Sequence, residues 1–185
     1  MPGPRKIAEM PSERDKAFLL FGRAMAAWAK LEKGFYAWFE HITLLDMKLG
    51  QPLYFAPTSF MARTNLIRAA LKSNQLEPAE RAFIEKALGY AGQYNSFRNK
   101  LAHGEFTVEG LLIESKEPDY KAAKQVAITQ KQMAVAANNF QALADLLWKA
   151  RDAALGFIPE DEPEASLETC LVELKALPKA ASDPA

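Results

Sequence analysis

Apolar side chains recur at the spacing of a helix face over the first third of the chain: Phe18, Phe21, Met25, Trp28, Phe35, Phe39 and Ile42. Ser12, with Asp15 three residues on, offers the side-chain oxygens that satisfy free N–H groups at a helix start. The pattern predicts one long first helix, stopped by Gly50 and Pro52. A second helix starts at Thr58 or Ser59, carries Phe60, Leu66, Ile67 and Leu71, and fades at Ser73 and Asn74. Pro78, whose fixed φ suits a first helical turn, opens a third that runs to about Ala102. One of its stripes is Phe83, Ala87, Tyr90, Tyr94, Phe97 and Leu101. Beside it run Ile84, Leu88, Ala91, Asn95, Arg98 and Ala102. Gly89 and Gly92 either weaken this helix or admit a close neighbour.

After Gly104 the period changes. The stretch EFTVEGLLIESK holds two short β-prone runs joined by Glu109 and Gly110, which reads as a small hairpin, and KQVAIT adds a strand or covers the core. Thr129 and Gln132 then form a capping box ahead of a fourth helix. Its apolar face holds Met133, Ala137, Phe140, Leu143, Leu147, Ala150 and Leu155, and Gly156 with Pro159 ends it. The predicted fold class is all-α: a four-helix, up-and-down-like bundle with a small β-hairpin-like excursion before the last helix. Residues 1–11 read as a flexible N-terminus, 12–157 as the helical domain and 158–185 as a largely disordered tail. Leu167, Leu171, Leu174 and Leu177 mark a short helix within that tail, which is dispensable for folding unless this segment docks.

Composition narrows the function. A chain of 185 residues suits one domain with loose ends. Its 11 Phe, 5 Tyr and 3 Trp exceed what one small domain needs to bury, which points to a homodimer. The 23 Lys and Arg balance the 23 Asp and Glu, so any RNA site must be local rather than a global basic field. Cys170 is the lone cysteine and the histidines are His41 and His103, so neither a disulfide nor a zinc site is expected. No glycine-rich phosphate loop and no carboxylate cluster suited to magnesium stands out; the expectation is no metal and no cofactor. The opening residues lack a signal-peptide pattern, and the most apolar run, AFLLFGRAMAAWA, contains Arg23 and is too short to span a bilayer. A cytoplasmic protein without membrane partners is expected.

One stretch carries chemistry: RNKLAHG, residues 98–104. Part of it is ordinary helix-end design. Gly104 takes a left-handed conformation without strain, and Arg98, Lys100 and His103 complement the helix dipole. But Arg98 continues an apolar stripe, where a cation needs an anionic partner or a ligand. Asn95, Asn99 and His103, four apart, extend one polar face beside it, making a small electropositive notch. Asn95 reads first as a side chain that solvates the helix or bonds a neighbouring turn. Glu32 sits in the first helix's stripe between Trp28 and Phe35; it either reaches solvent at the edge or pairs with Arg98. His41 reads as an edge residue, the Trp and Phe stripe as core or dimer surface, and Cys170 as incidental.

Arg98-Asn99-x-x-x-His103, at the end of a penultimate helix in an all-helical domain, resembles the signature of the HEPN superfamily (higher-eukaryote and prokaryote nucleotide-binding domains). The stretch AWAKLEKGFYAWF is similar to the Trp-rich first helix, with a Glu, of several bacterial members, and the RNKLAHG form is close to theirs. The resemblance covers roughly residues 12–157 as architecture and a handful of positions as motif. It implies a metal-independent endoribonuclease acting as a dimer in a toxin–antitoxin or anti-phage defence setting, with RNA as substrate and an antitoxin or other protein as partner. Arg98 and His103 would be the catalytic pair, with Asn99 the intervening polar residue. Other members are non-catalytic sensors or partner-binding modules, which is the alternative here.

The residue types suit that chemistry. An imidazole titrates near neutrality and can take a proton from an RNA 2′-hydroxyl or give one to the leaving oxygen. A guanidinium grips two phosphate oxygens and stabilises growing charge. Positions five apart on a helix point about 140° from each other, so two copies, each giving an Arg and a His to one cleft, grip a phosphate better than one.

Overall fold

The computed structural model describes residues 12–106, 111–113, 126–157 and 166–179. Helix α1 spans Glu13–Thr43 and opens on a full capping box: the Ser12 hydroxyl accepts the Asp15 N–H, and the Asp15 carboxylate accepts the Ser12 N–H. It ends earlier than its pattern predicts. Leu44 turns left-handed (φ 55°, ψ 22°) and donates its N–H to the Glu40 carbonyl at 2.8 Å. Asp46 then caps a new helix, α2 (Met47–Phe55). Gly50 and Pro52, expected to stop the first helix, therefore lie inside α2, which continues until the Ala56 N–H meets the Pro52 carbonyl.

Helix α3 (Phe60–Ser73) starts on a Ser59 cap, and α4 spans Pro78–His103 with Pro78 in its first turn. Gly104, expected to be left-handed, is extended (φ −90°, ψ 154°), because the chain passes directly into strand β1, Glu105–Phe106. β1 pairs antiparallel with β2 (Leu111–Ile113), and β2 with β3 (Val126–Ile128), in the order β1-β2-β3. The predicted hairpin turn at Glu109 and Gly110 lies outside the described residues, as do residues 1–11. Thr129 and Gln132 form their capping box at the start of α5 (Gln130–Ala154), and Ser166 caps α6 (Leu167–Ala176). The described residues thus form an all-α bundle with one small antiparallel sheet; α2 is a helix beyond the four expected, and α6 is the short helix that the tail leucines mark.

α1 is the spine. α5 runs parallel to it, from Gln130 at Glu13, through Lys30–Asp145 at 2.6 Å, to the Trp38 indole donating to the Leu147 carbonyl at 2.9 Å. α4 runs antiparallel to α1: Phe83 stacks on Trp38 at one end, and Phe106, just past α4, stacks on Phe18 at the other. The core between them is aromatic, with Trp28, Trp38, Phe35, Phe83 and Phe140 almost fully buried. Burying each such ring stabilises the fold by roughly 1.5–3 kcal/mol. α6 belongs to this core, since Cys170 and Leu174 are fully buried and the Tyr94 hydroxyl donates to the Pro178 carbonyl at 2.6 Å. The docking that sequence alone left conditional is present, and the folded unit extends beyond residue 157. Among the described residues, no helix is long and apolar enough to cross a membrane.

Candidate functional site

The antiparallel run of α4 along α1 brings the last turns of α4 against the first half of α1, beside the sheet. Arg98 is half-buried there, its guanidinium carbon 5.8 Å from the centre of the Trp28 ring. One terminal nitrogen donates to Asn99 Oδ1 at 3.1 Å. Among the described residues its buried Nε has no hydrogen-bond partner, and the same holds for Trp28 Nε1 and for Asn95 Oδ1, one turn before Arg98 on α4. Each such orphaned group costs about 1–3 kcal/mol; among the described residues Tyr54 Oη and Arg151 Nε are orphaned too, but the three at Trp28, Asn95 and Arg98 lie within one turn of the same helix contact. Asn99 and His103 are exposed, and among the described residues nothing bonds to the His103 ring.

Arg98 thus lies on a packed surface, as its stripe predicts, but its company differs from the expectation. No carboxylate reaches it among the described residues; an indole face and a neighbouring amide hold it. Glu32 pairs instead with Arg63 of α3 at 2.9 Å, both side chains 16% exposed. The reason is that α3 begins against α1, with Phe60 packed on Trp28 and Phe35, so the next turn of α1 faces α3 rather than Arg98. Asn95 is half-buried: its amide oxygen is buried and, among the described residues, unbonded.

Chemically, the site offers a positioned cation and an exposed imidazole five residues on. The guanidinium is oriented by the Trp28 face, a contact worth roughly 0.5–2 kcal/mol. Among the described residues, no group of three or more His, Cys, Asp or Glu side chains converges to hold a metal ion.

Two features escaped the sequence reading. His41, whose place in the sequence suggests an edge residue, lies 3.0 Å from Glu80 Oε1, while the other Glu80 oxygen accepts the Glu77 N–H. This pair clips the end of α1 to the start of α4, and the 39-residue separation hides it in sequence. Arg68, Lys72 and Arg81 line one cleft between α3 and α4, and only the spacing of the first two hinted at it. Compared with protein-family models, curated proteins and solved structures, the chain matches none.

Proposed function

We propose that the protein is a metal-independent endoribonuclease of HEPN type, acting as a homodimer. The observation that carries this reading is the half-buried Arg98, oriented by the Trp28 ring, with an exposed His103, unbonded among the described residues, five residues further along the same helix end. Arg98 would bind the scissile phosphate through two of its oxygens. His103 would take the proton of the 2′-hydroxyl as that oxygen bonds to phosphorus; the 5′-oxygen leaves with a proton, and the phosphate closes into a 2′,3′-cycle. The partner copy's His103 would supply the second proton transfer. Asn99, bonded to Arg98, orients the guanidinium.

Apolar surface beside the motif supports the dimer: Phe18 stacks on Phe106 at 4.4 Å, yet Phe18 and Leu19 stay 43% and 65% exposed. A second copy covering this surface would bring the two motifs together. The setting that fits the motif's resemblance is toxin–antitoxin or anti-phage defence, with a partner protein that restrains the nuclease. A second reading, a non-catalytic dimeric binding module, is favoured by one observation: the Arg98 guanidinium already has Trp28 and Asn99 as company.

The test is incubation of the purified protein with single-stranded RNA, and with DNA of the same sequence, in excess EDTA. Cutting of RNA alone, leaving 2′,3′-cyclic phosphate ends, is the expected result. Intact RNA across varied sequences would leave the binding module as the better reading.

A further inference from the structure

The second half of α3 and the first half of α4 enclose an open cleft of about 270 Å³, lined by Arg68, Leu71, Lys72, Arg81, Glu85 and Leu88. In a chain whose charges balance, three cations against one carboxylate make a local positive excess. Two of the cations are held in place by the protein. Arg81 donates to the Leu71 carbonyl at 2.7 Å and to the Asn74 carbonyl at 3.2 Å, with Glu85 at 3.8 Å. Arg68 donates to Thr64 Oγ1 and Asn65 Oδ1, each at 3.2 Å. Lys72 is exposed, with no ion-pair partner among the described residues. Arg68 and Lys72, four apart on one helix, repel each other unless an anion sits between them. The floor is apolar, formed by the buried Leu71 and Leu88. Oriented guanidinium groups beside an exposed ammonium match a phosphate of a nucleotide, whose oxygens take the cations.

We infer that this cleft is a second phosphate-binding site for a single nucleic-acid strand, which runs along α4 to Arg98. The inference rests on the proposed action on RNA only for the strand's onward path to the motif. α4 is continuous from Leu88 to Arg98, and those ten residues rise about 15 Å, the height of four or five stacked nucleotides at about 3.4 Å each. The cleft would thus hold a phosphate four or five nucleotides from the cut bond. That supplies local charge for binding without a basic surface overall.

The experiment measures binding of a fluorescent 12-nucleotide oligodeoxythymidylate, which lacks the 2′-hydroxyl and stays intact, by anisotropy across a salt series. The doubly substituted Arg68→Gln, Lys72→Gln protein should bind several-fold more weakly. Its slope of log affinity against log salt should be shallower by about 1.4, at roughly 0.7 per lost contact on a single strand. Lys72→Glu, an exposed change that spares the fold, should weaken binding further than Lys72→Gln. Lys175→Gln, on α6 and away from the cleft, should change neither quantity. Shortening the oligonucleotide to three residues, too short to reach from the cleft to Arg98, should weaken wild-type binding by at least as much as the double substitution does on the 12-mer. Equal affinity and slope for those two proteins on the 12-mer would overturn the inference, as would no binding by wild type. Binding through the cleft with no cutting of RNA would instead sink the nuclease reading and leave the cleft standing.

Discussion

Burial holds three phenols in their neutral form. It raises Tyr54 well above the usual tyrosine range, with the Glu32 carboxylate adding to the effect. Burial pushes Tyr94 up to about 12, and burial with the hydrogen bond to Glu40 pushes Tyr36 up to about 12. A folded value above the unfolded one, near 10, means that the fold favours the protonated phenol. The stabilisation is complete below pH 10 and is lost as pH rises through the folded values. Phenolate absorbance should therefore show a late step above pH 10 that coincides with loss of helical signal; complete titration near pH 10 with the fold intact would contradict the packing. Residue-scale features were unevenly legible. Arg98 stood out because a cation on an apolar stripe is visible from spacing alone. The Arg63 partner of Glu32 and the Glu80 partner of His41 were not, because both depend on how far apart in sequence the packed helices lie.

At the scale of elements, the tight packing of α1 on α5 turns on one glycine. A Cβ at Gly34 would stand 3.0 Å from Leu147 Cβ, and Leu147, fully buried, would have to give by a few tenths of an ångström within a packed core. Gly34→Ala should therefore cost about 1–3 kcal/mol by overpacking. Gly89 has nothing within 4 Å of the same position, so Gly89→Ala should stabilise α4 by about 0.4–1 kcal/mol. Urea midpoints moving in opposite directions are the expected result, and a shared direction would contradict the packing. Leu174→Ala should cost about 2–5 kcal/mol, because α6 fills a gap between α4 and α5. An unchanged urea midpoint would show that α6 is not part of the core. Helix starts were legible where a side chain caps them, at Ser12, Ser59 and Thr129. The break at Leu44 was not, because a non-glycine residue takes the left-handed turn there and no local signal announces it. Gly104 misled for the opposite reason: glycine at a helix end suits a left-handed cap, but the strand that follows draws it into an extended path.

Over the whole molecule, the helices run alternately up and down, and the motif lies at the end where α1 begins and α4 finishes. Exposed Phe18 and Leu19 lie beside it, and the basic cleft opens further along α4. The all-helical class was legible because periodicity survives over long segments. The meeting of Arg98 with Trp28 was only half legible, since it depends on which face of α1 meets α4. The measurement that bears most directly on the account is the single-turnover rate of RNA cutting, in EDTA, by wild type, Arg98→Ala and His103→Ala. Wild type should cut, each substitution should lower the rate by about 10²-fold or more, and both variants should keep the wild-type helical signal. Cutting by both folded variants at the wild-type rate would contradict it.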